Sequence, residues 1–381
     1  MSDSLRDLFL LEKDVVFLNH GSFGACPKPV FEEYQEWQLK VERQPVRFFV
    51  SDMWPALVHA RKTLAAYVGA PDDCLVPVFN ATFGVNVVAH SLKLEEGDEI
   101  LSNEHEYGAC TRAWTKICGK TGAKYVVAPI PSPIESLDQI AESIWNCVTE
   151  RTKVLFISHI TSPSGIMFPI EELIRRAKER GILTLIDGAH CAGQIPLNLT
   201  ELGADFYTGN CHKWLCAPKG SAFLYAAPGK KHLLEPLVVS WGNSSEGAVG
   251  DPFLDELQWQ GTNDPSAFLT VPKAIAFQAE HNWDEVRIRC QQMIANVKNE
   301  LESLPNVEPL YPTTSTLQKQ MTAVKVLNQD SAFLKEHLAS EYKIEIPVWN
   351  LKDDCIIRVS VQGYTTQDEL DLLVEAIKKL G

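Results

Sequence analysis

Residues 153–190 read KVLFISHITSPSGIMFPIEELIRRAKERGILTLIDGAH. KVLFISHI (153–160) is a near-continuous apolar run rich in β-branched residues, the pattern of a strand covered on both faces. PIEELIRRAKER (169–180) follows with helical spacing. Its Glu171, Glu172, Arg175, Arg176 and Lys178 form a solvated face with i,i+4 pairs. Gly181 ends that helix, and ILTLI (182–186) is a second buried strand. Strand, helix, strand in this rhythm implies parallel pairing. Working outward, residues 98–101, 124–130 and 221–226 also read as strands, separated by helices or long crossings. The expected fold class is α/β, a mostly parallel central sheet with helices on both faces. After about residue 265 the pattern changes. Asp264 caps a long helix to about 304, with a break at Trp283 and Asp284. Short strands at 322–326, 343–346 and 355–361 and helices at 331–341 and 367–380 then make a smaller α+β unit. The expected division is a large domain over 1–268, including an N-terminal arm, and a small C-terminal domain over 269–381.

The chain has 381 residues, enough for two domains at roughly 100–200 residues each. Its 35 Lys and Arg against 49 Asp and Glu leave a net charge of −14, which disfavours nucleic acid or an anionic membrane as partner. It leaves room for a small anionic ligand in a local pocket. No apolar run approaches the ~20 residues of a membrane helix. Residues 1–11, with Asp3, Arg6 and Asp7, lack the charged-then-apolar pattern of a secretory signal. The 10 cysteines are too sparse for a disulfide scaffold and read as free thiols of a cytoplasmic protein. Cys211 and Cys216 bracket His212, but no second ligand pair completes a tetrahedron, so no metal is expected.

Ligands of open α/β sheets sit beyond the carboxyl ends of the strands, so residues that follow strands carry the chemistry. Asp187 directly follows ILTLI; it is either a carboxylate in the ligand crevice or a helix N-cap. In TGNCHKW (208–214), Lys213 stands among small and apolar neighbours. Burial there would make it a nucleophilic amine; a snorkelling surface lysine is the alternative. Asn80-Ala81-Thr82-Phe83-Gly84 opens a helical stretch to about Leu92. Thr82 is the expected N-cap and Gly84 permits close approach, so this start can hold a phosphate or merely its own cap. Asn103-Glu104-His105-Glu106-Tyr107 offers flat rings at another strand end. The fingerprints GxGxxG and GxxxxGK[ST] are absent, which removes the main support for a nicotinamide oxidoreductase or a P-loop protein.

In this order, the four segments resemble the pyridoxal-phosphate enzymes of fold type I, in the class V aminotransferase superfamily. Within it the chain is most similar to the isopenicillin N epimerase-like proteins, whose relatives include cysteine desulfurases and C–S lyases. The resemblance runs from FLNHGSFG (17–24) to IRVS (357–360) and Tyr364-Thr365-Thr366, and is most specific over 187–220. It implies a pyridoxal 5′-phosphate cofactor, with Lys213 as the Schiff-base lysine and shuttle of the Cα proton. Asp187 would pair with the pyridine nitrogen, raising its pKa so that the ring works as an electron sink. His190 would bind the ring's 3′ oxygen. Ala81, Thr82, Asn210 and His212 would contact the phosphate, and Thr262 would reach it across a homodimer interface. His105 or Tyr107 would stack on the ring; the spacing admits either. Arg358 would hold the α-carboxylate of a small amino-acid substrate bidentately; a strand-end surface Arg is the plain alternative. Arg47, in QPVRFF, and Asn19, in Asn19-His20-Gly21, are further candidate substrate contacts.

One departure bears on the reaction. Desulfurases carry a nucleophilic Cys on a mobile loop before the carboxylate Arg, whereas residues 291–354 contain none. Cys355 follows Asp353 and Asp354, whose charges disfavour a thiolate. The implied function is chemistry at Cα of an amino acid, isopenicillin N epimerase-like, with a C–S lyase or an aminotransferase as alternatives. Epimerisation needs an acid/base on each face, Lys213 and one of Tyr107 and His105; elimination needs only Lys213. A non-catalytic relative would have lost Lys213 or Asp187, and both are present.

Overall fold

The buried run at 153–160 becomes a strand, Thr152–Ser158, whose alternate side chains enter two separate cores. Leu155 and Ile157 point to one face of the sheet, Val154 and Phe156 to the other. A strand covered on both sides has no use for polar alternation, hence the continuous apolar sequence. The computed structural model that shows this describes residues 5–244, 247–311, 317–351 and 353–381. In chain order its strands are β1 (Val16–Phe17), β2 (Leu75–Val78), β3 (Glu99–Asn103), β4 (Lys124–Ala128), β5 (Thr152–Ser158), β6 (Leu183–Asp187), β7 (Phe206–Asn210), β8 (Ala222–Ala226), β9 (Val307–Pro309), β10 (Met321–Val326), β11 (Ile344–Glu345), β12 (Val348–Leu351) and β13 (Asp354–Ser360).

A seven-stranded sheet has the order β2-β8-β7-β6-β5-β3-β4. β8 runs antiparallel to both its neighbours, and the other pairs are parallel. The expected strands at 98–101, 124–130, 153–160, 182–186 and 221–226 correspond to β3, β4, β5, β6 and β8. β2 and β7 are additional. β2 contains Pro77, which removes a backbone donor; the structure places that strand at the sheet edge, where the loss is tolerated. The helix Ile170–Glu179 buries Ile170, Leu173, Ile174 and Ala177, one face at helical spacing. Its outer face carries the Arg175–Glu172 and Arg176–Glu172 pairs. Such exposed pairs contribute little.

The second sheet is antiparallel, ordered β12-β13-β10-β9. The helix expected from Asp264 to about 304, with a break at Trp283 and Asp284, is three helices, Ser266–Leu269, Val271–Glu280 and Trp283–Glu302, so a break falls just before Trp283 and a further one at Thr270. Asn282, in the left-handed region, breaks the last two. Val271–Glu280 packs on the helices Lys28–Arg43 and Met53–Tyr67, whereas Trp283–Glu302 packs on β10 and the helix Gln367–Lys378. The chain thus changes packing partners at about 281–282, beyond residue 268. The N-terminal arm crosses to the C-terminal part: β1 pairs in parallel with β11, and Ser360 N–H donates to Leu18 C=O.

Candidate active site

Asp187 is the last residue of β6, inside the sheet between β5 and β7. No helix starts after it, so its side chain caps none. Oδ1 accepts from Ala189 N–H (2.9 Å) in a tight turn, and Oδ2 lies 3.6 Å from Cys110 Sγ. The carboxyl is buried. Burial raises its pKa, while the Ala189 N–H and the charge of Lys213 pull it down.

Lys213 follows β7 on a loop whose backbone is tied to the N-terminal arm. Lys213 C=O lies 3.0 Å from His20 Nε2, and His20 Nδ1 lies 2.9 Å from Tyr364 Oη. Gly24 (φ +70°) lets the arm pass against His212, where a Cβ would overlap His212 C=O. The Lys213 amine reaches His190 Nε2 at 3.2 Å. Its pKa is pulled down to about 8, first by burial and then by the charge of Arg358, with Asp187 opposing. A half-buried amine titrating there is a nucleophile near neutral pH, not a snorkelling surface lysine.

A cavity of about 470 Å³ joins these groups. Ala81, Thr82, Tyr107, Asp187, His190, Asn210, His212 and Lys213 all line it. The helix Ala81–Ser91 starts at its wall, and the cap is Asn80, not Thr82: Asn80 Oδ1 accepts from Phe83 N–H at 2.8 Å. Ala81 N–H donates to Asn210 Oδ1 (2.8 Å), which links this helix start to the end of β7. Gly84 gives the close approach expected of it, since a Cβ there would overlap Thr208 Oγ1 on β7.

A second cleft of about 830 Å³ adjoins the first, and Tyr107, Ser162 and Lys213 line both. Asn19 and Arg358 line the second. Arg358 lies within β13 and is buried, so the surface reading does not hold. Its Nη1 donates to Ser162 C=O (2.6 Å) and its Nη2 to Ser22 Oγ (3.2 Å), and its Nε has no partner among the described residues. Among those residues it makes no ion pair. A buried guanidinium without a carboxylate is held ready for an anionic ligand.

Three candidates lie outside both cavities. His105 turns away: its ring packs on Tyr311 (4.2 Å between centroids) and Nδ1 lies 3.1 Å from Ser164 Oγ. Of the two rings in that loop, Tyr107 is the one at the cavity. Arg47 is exposed and pairs with Asp52 at 3.5 Å. Thr262 is exposed and lines neither cavity of its own chain. The sequence reading missed Ser22 and Ser162, which orient Arg358, and Lys219, a cation at the first cavity. It also missed Glu106, buried at the second, with its carboxyl pushed up to about 8 by burial. Single serines carry no pattern, but Glu106 lies in the quoted ring-bearing loop.

All 10 cysteines are free thiols, and none lines either cavity. Among the described residues no group of three His, Cys, Asp or Glu side chains converges as a metal site, and no helix is long and apolar enough to cross a membrane.

Isopenicillin N epimerase of Amycolatopsis lactamdurans is 34% identical over 99% of this chain and 98% of its own length. A probable chloroplastic L-cysteine desulfhydrase of Arabidopsis thaliana is 27% identical over 97% of this chain and 83% of its own. Among solved structures, apo cysteine desulfurase from Thermococcus onnurineus superposes with a TM-score of 0.85 at 20% identity, covering 99% of this chain and 97% of that one. The cystine C–S lyase C-DES in complex with cysteine persulfide gives 0.83 at 21%, covering 96% and 98%. The fold is that of the fold type I enzymes, as expected, with a mostly parallel sheet and a smaller antiparallel one. Residues 25–373 match the family described as Aminotransferase class-V, and with a strand-end acid, a half-buried amine and a carboxylate-free arginine around one pair of cavities, the chain belongs to that family.

Proposed function

We propose that the protein is a pyridoxal 5′-phosphate-dependent enzyme acting at Cα of an amino acid, isopenicillin N epimerase-like in its reaction. One observation carries this reading: Lys213 lines both cavities, with Asp187 and His190 in one and Arg358 in the other. The residues fit the cofactor. Asp187, buried at the cavity wall, calls for a protonated ring nitrogen. The helix start at Ala81 and Thr82, with Asn210, His212 and Lys219, suits a phosphate. When bound, the cofactor supplies the electron sink that stabilises negative charge at Cα.

In this reading Lys213 holds the cofactor aldehyde and then moves the Cα proton. His190 donates to the ring oxygen, and Tyr107 covers the ring and serves as the second acid/base. Arg358 orients the substrate carboxylate, with Asn19 beside it. Thr262 contributes to the phosphate site of a second copy in a homodimer. The free thiols suit a cytoplasmic setting.

The isopenicillin N epimerases, 34% and 33% identical over 99% of this chain, favour the epimerase reading. The relatives named as L-cysteine desulfhydrases support a second reading, elimination at Cβ, which needs Lys213 alone as base. Transfer through a cysteine persulfide has no support: no thiol lines the cavities, and Cys355 is buried in β13 with its thiol pushed up to about 11.

The test is incubation of the cofactor-loaded protein in deuterated water with amino acids and cysteine thioethers. Cα exchange with inversion is expected; pyruvate with released thiol would establish the lyase instead. A Lys213→Ala variant should lose about 10²–10⁴-fold in rate and the borohydride-fixed label. Protein without affinity for pyridoxal phosphate would end the reading altogether.

A further inference from the structure

The roles above leave one buried contact unused. Trp214 is fully buried, and its Nε1 lies 3.2 Å from Nδ1 of His190. The other ring nitrogen, Nε2, faces Lys213 Nζ at 3.2 Å. His190 is itself buried. Burial, and the charges of Lys213, Arg358 and His212 near it, hold its pKa well below the usual histidine value, so the ring is neutral. A neutral imidazole carries its proton on one nitrogen and accepts at the other. An indole Nε1 can only donate. Nδ1 is therefore the acceptor, and the proton sits on Nε2, pointing into the cofactor cavity.

We propose that Trp214 is a positioning residue: by donating to His190 Nδ1 it fixes the Nε2–H tautomer, so that the cavity presents an N–H donor beside the Lys213 amine. The identity of the group that accepts this N–H, an oxygen on the cofactor ring, rests on the function proposed above. The tautomer does not, since it follows from contacts within the chain.

The surroundings hold the indole in place. Trp214 C=O accepts from Gln278 Nε2 at 2.8 Å, and the indole packs against the His20 ring with centroids 4.9 Å apart. Gly193 is against the same backbone, where a Cβ would overlap the Trp214 carbonyl. Because Trp214 directly follows Lys213, one backbone segment places the amine and, through the indole, the imidazole that faces it. Without the indole N–H the ring is free to carry its proton on Nδ1. It would then turn a lone pair toward the amine, the wrong polarity for binding an oxygen.

The test begins with the cofactor-free protein at about pH 9.5, where the Lys213 amine is neutral and can accept the Nε2–H. Long-range ¹H–¹⁵N correlation of the imidazoles should show His190 with a bare Nδ1 and a protonated Nε2 there. A Trp214→Phe variant, folded by circular dichroism, should show a mixture or the Nδ1–H form. Affinity for pyridoxal phosphate should then fall about 3–10-fold, the loss of one buried hydrogen bond. In a His190→Gln background, where the amide donates without the indole, the same Trp214→Phe change should cost nothing further. A wild-type His190 protonated on Nδ1 overturns the proposal whether or not the variant folds. So does an unchanged tautomer in Trp214→Phe, or an equal loss of affinity in both backgrounds. The expected tautomers in a protein that never takes up the cofactor would uphold the indole's role and defeat the cofactor reading alone.

Discussion

At the scale of single residues, Lys213 is placed at a cost to stability. Its folded pKa, about 8, lies below the ~10.4 of an unfolded chain. Between those values the unfolded amine holds a proton that the folded one does not, so stability rises with pH across the window and falls as pH drops through it. Below about pH 8 the full penalty is present. Lys213→Met should therefore stabilise the cofactor-free protein at pH 7 by about 1–3 kcal/mol and by much less near pH 10.5. Thermal melts of the two proteins at both pH values check this, and an equal gain at both would contradict it. The same amine should be modified by an aldehyde and reductant with an inflection near pH 8. Arg358→Gln should move that inflection upward, because the guanidinium charge is the second cause of the lowered pKa.

At the scale of elements, the site depends on the helix Ala81–Ser91 lying hard against β7. Gly84 permits the approach and Asn80 closes the helix start. Gly84→Ala puts a methyl group into Thr208 and should cost about 1–3 kcal/mol, as overpacking does. It should also weaken pyridoxal phosphate binding, because the helix start would be displaced from Asn210. Asn80→Ala should cost about 1 kcal/mol through the lost cap, whereas Thr82→Ala should leave the cap intact. Denaturation midpoints of the three variants, with and without pyridoxal phosphate, separate helix stability from ligand contact. A Thr82→Ala variant as unstable as Asn80→Ala would contradict the cap assignment. The sequence pointed to Thr82 as the cap, and that Asn80 takes the role follows only from where the backbone turns.

At the scale of the whole molecule, Thr262 lines neither cavity of its own chain, which leaves the proposed phosphate contact to a second copy. Sedimentation should then show a dimer. Co-expressed Lys213→Ala and Thr262→Ala chains should form hybrids with one fully intact site, holding Lys213 from one chain and Thr262 from the other. Thr262→Ala alone should bind pyridoxal phosphate about 3–10-fold more weakly. Hybrids that keep only the weakened affinity would place Thr262 in its own chain's site or outside any site.

The apolar runs at 153–160 and 182–186 with the amphipathic helix between them were enough to declare a covered parallel sheet, because burial on both faces leaves an unmistakable composition. β2 and β7 escaped because Pro77 and the Gly209-Asn210 pair break that composition locally. The acid at 187 was legible because it ends one of those strands, and the amine at 213 because a lysine stands out among small and apolar neighbours. Contacts between distant segments were not. Whether His105 or Tyr107 faces the cavity, whether Arg47 reaches it, and which serines brace Arg358 depend on how loops fold back over the strand ends. A side chain's direction there is set by packing partners many residues away, as His105 is by Tyr311. Local order writes itself into spacing and polarity, whereas the meeting of arm, sheet end and C-terminal strand exists only once the chain has closed on itself.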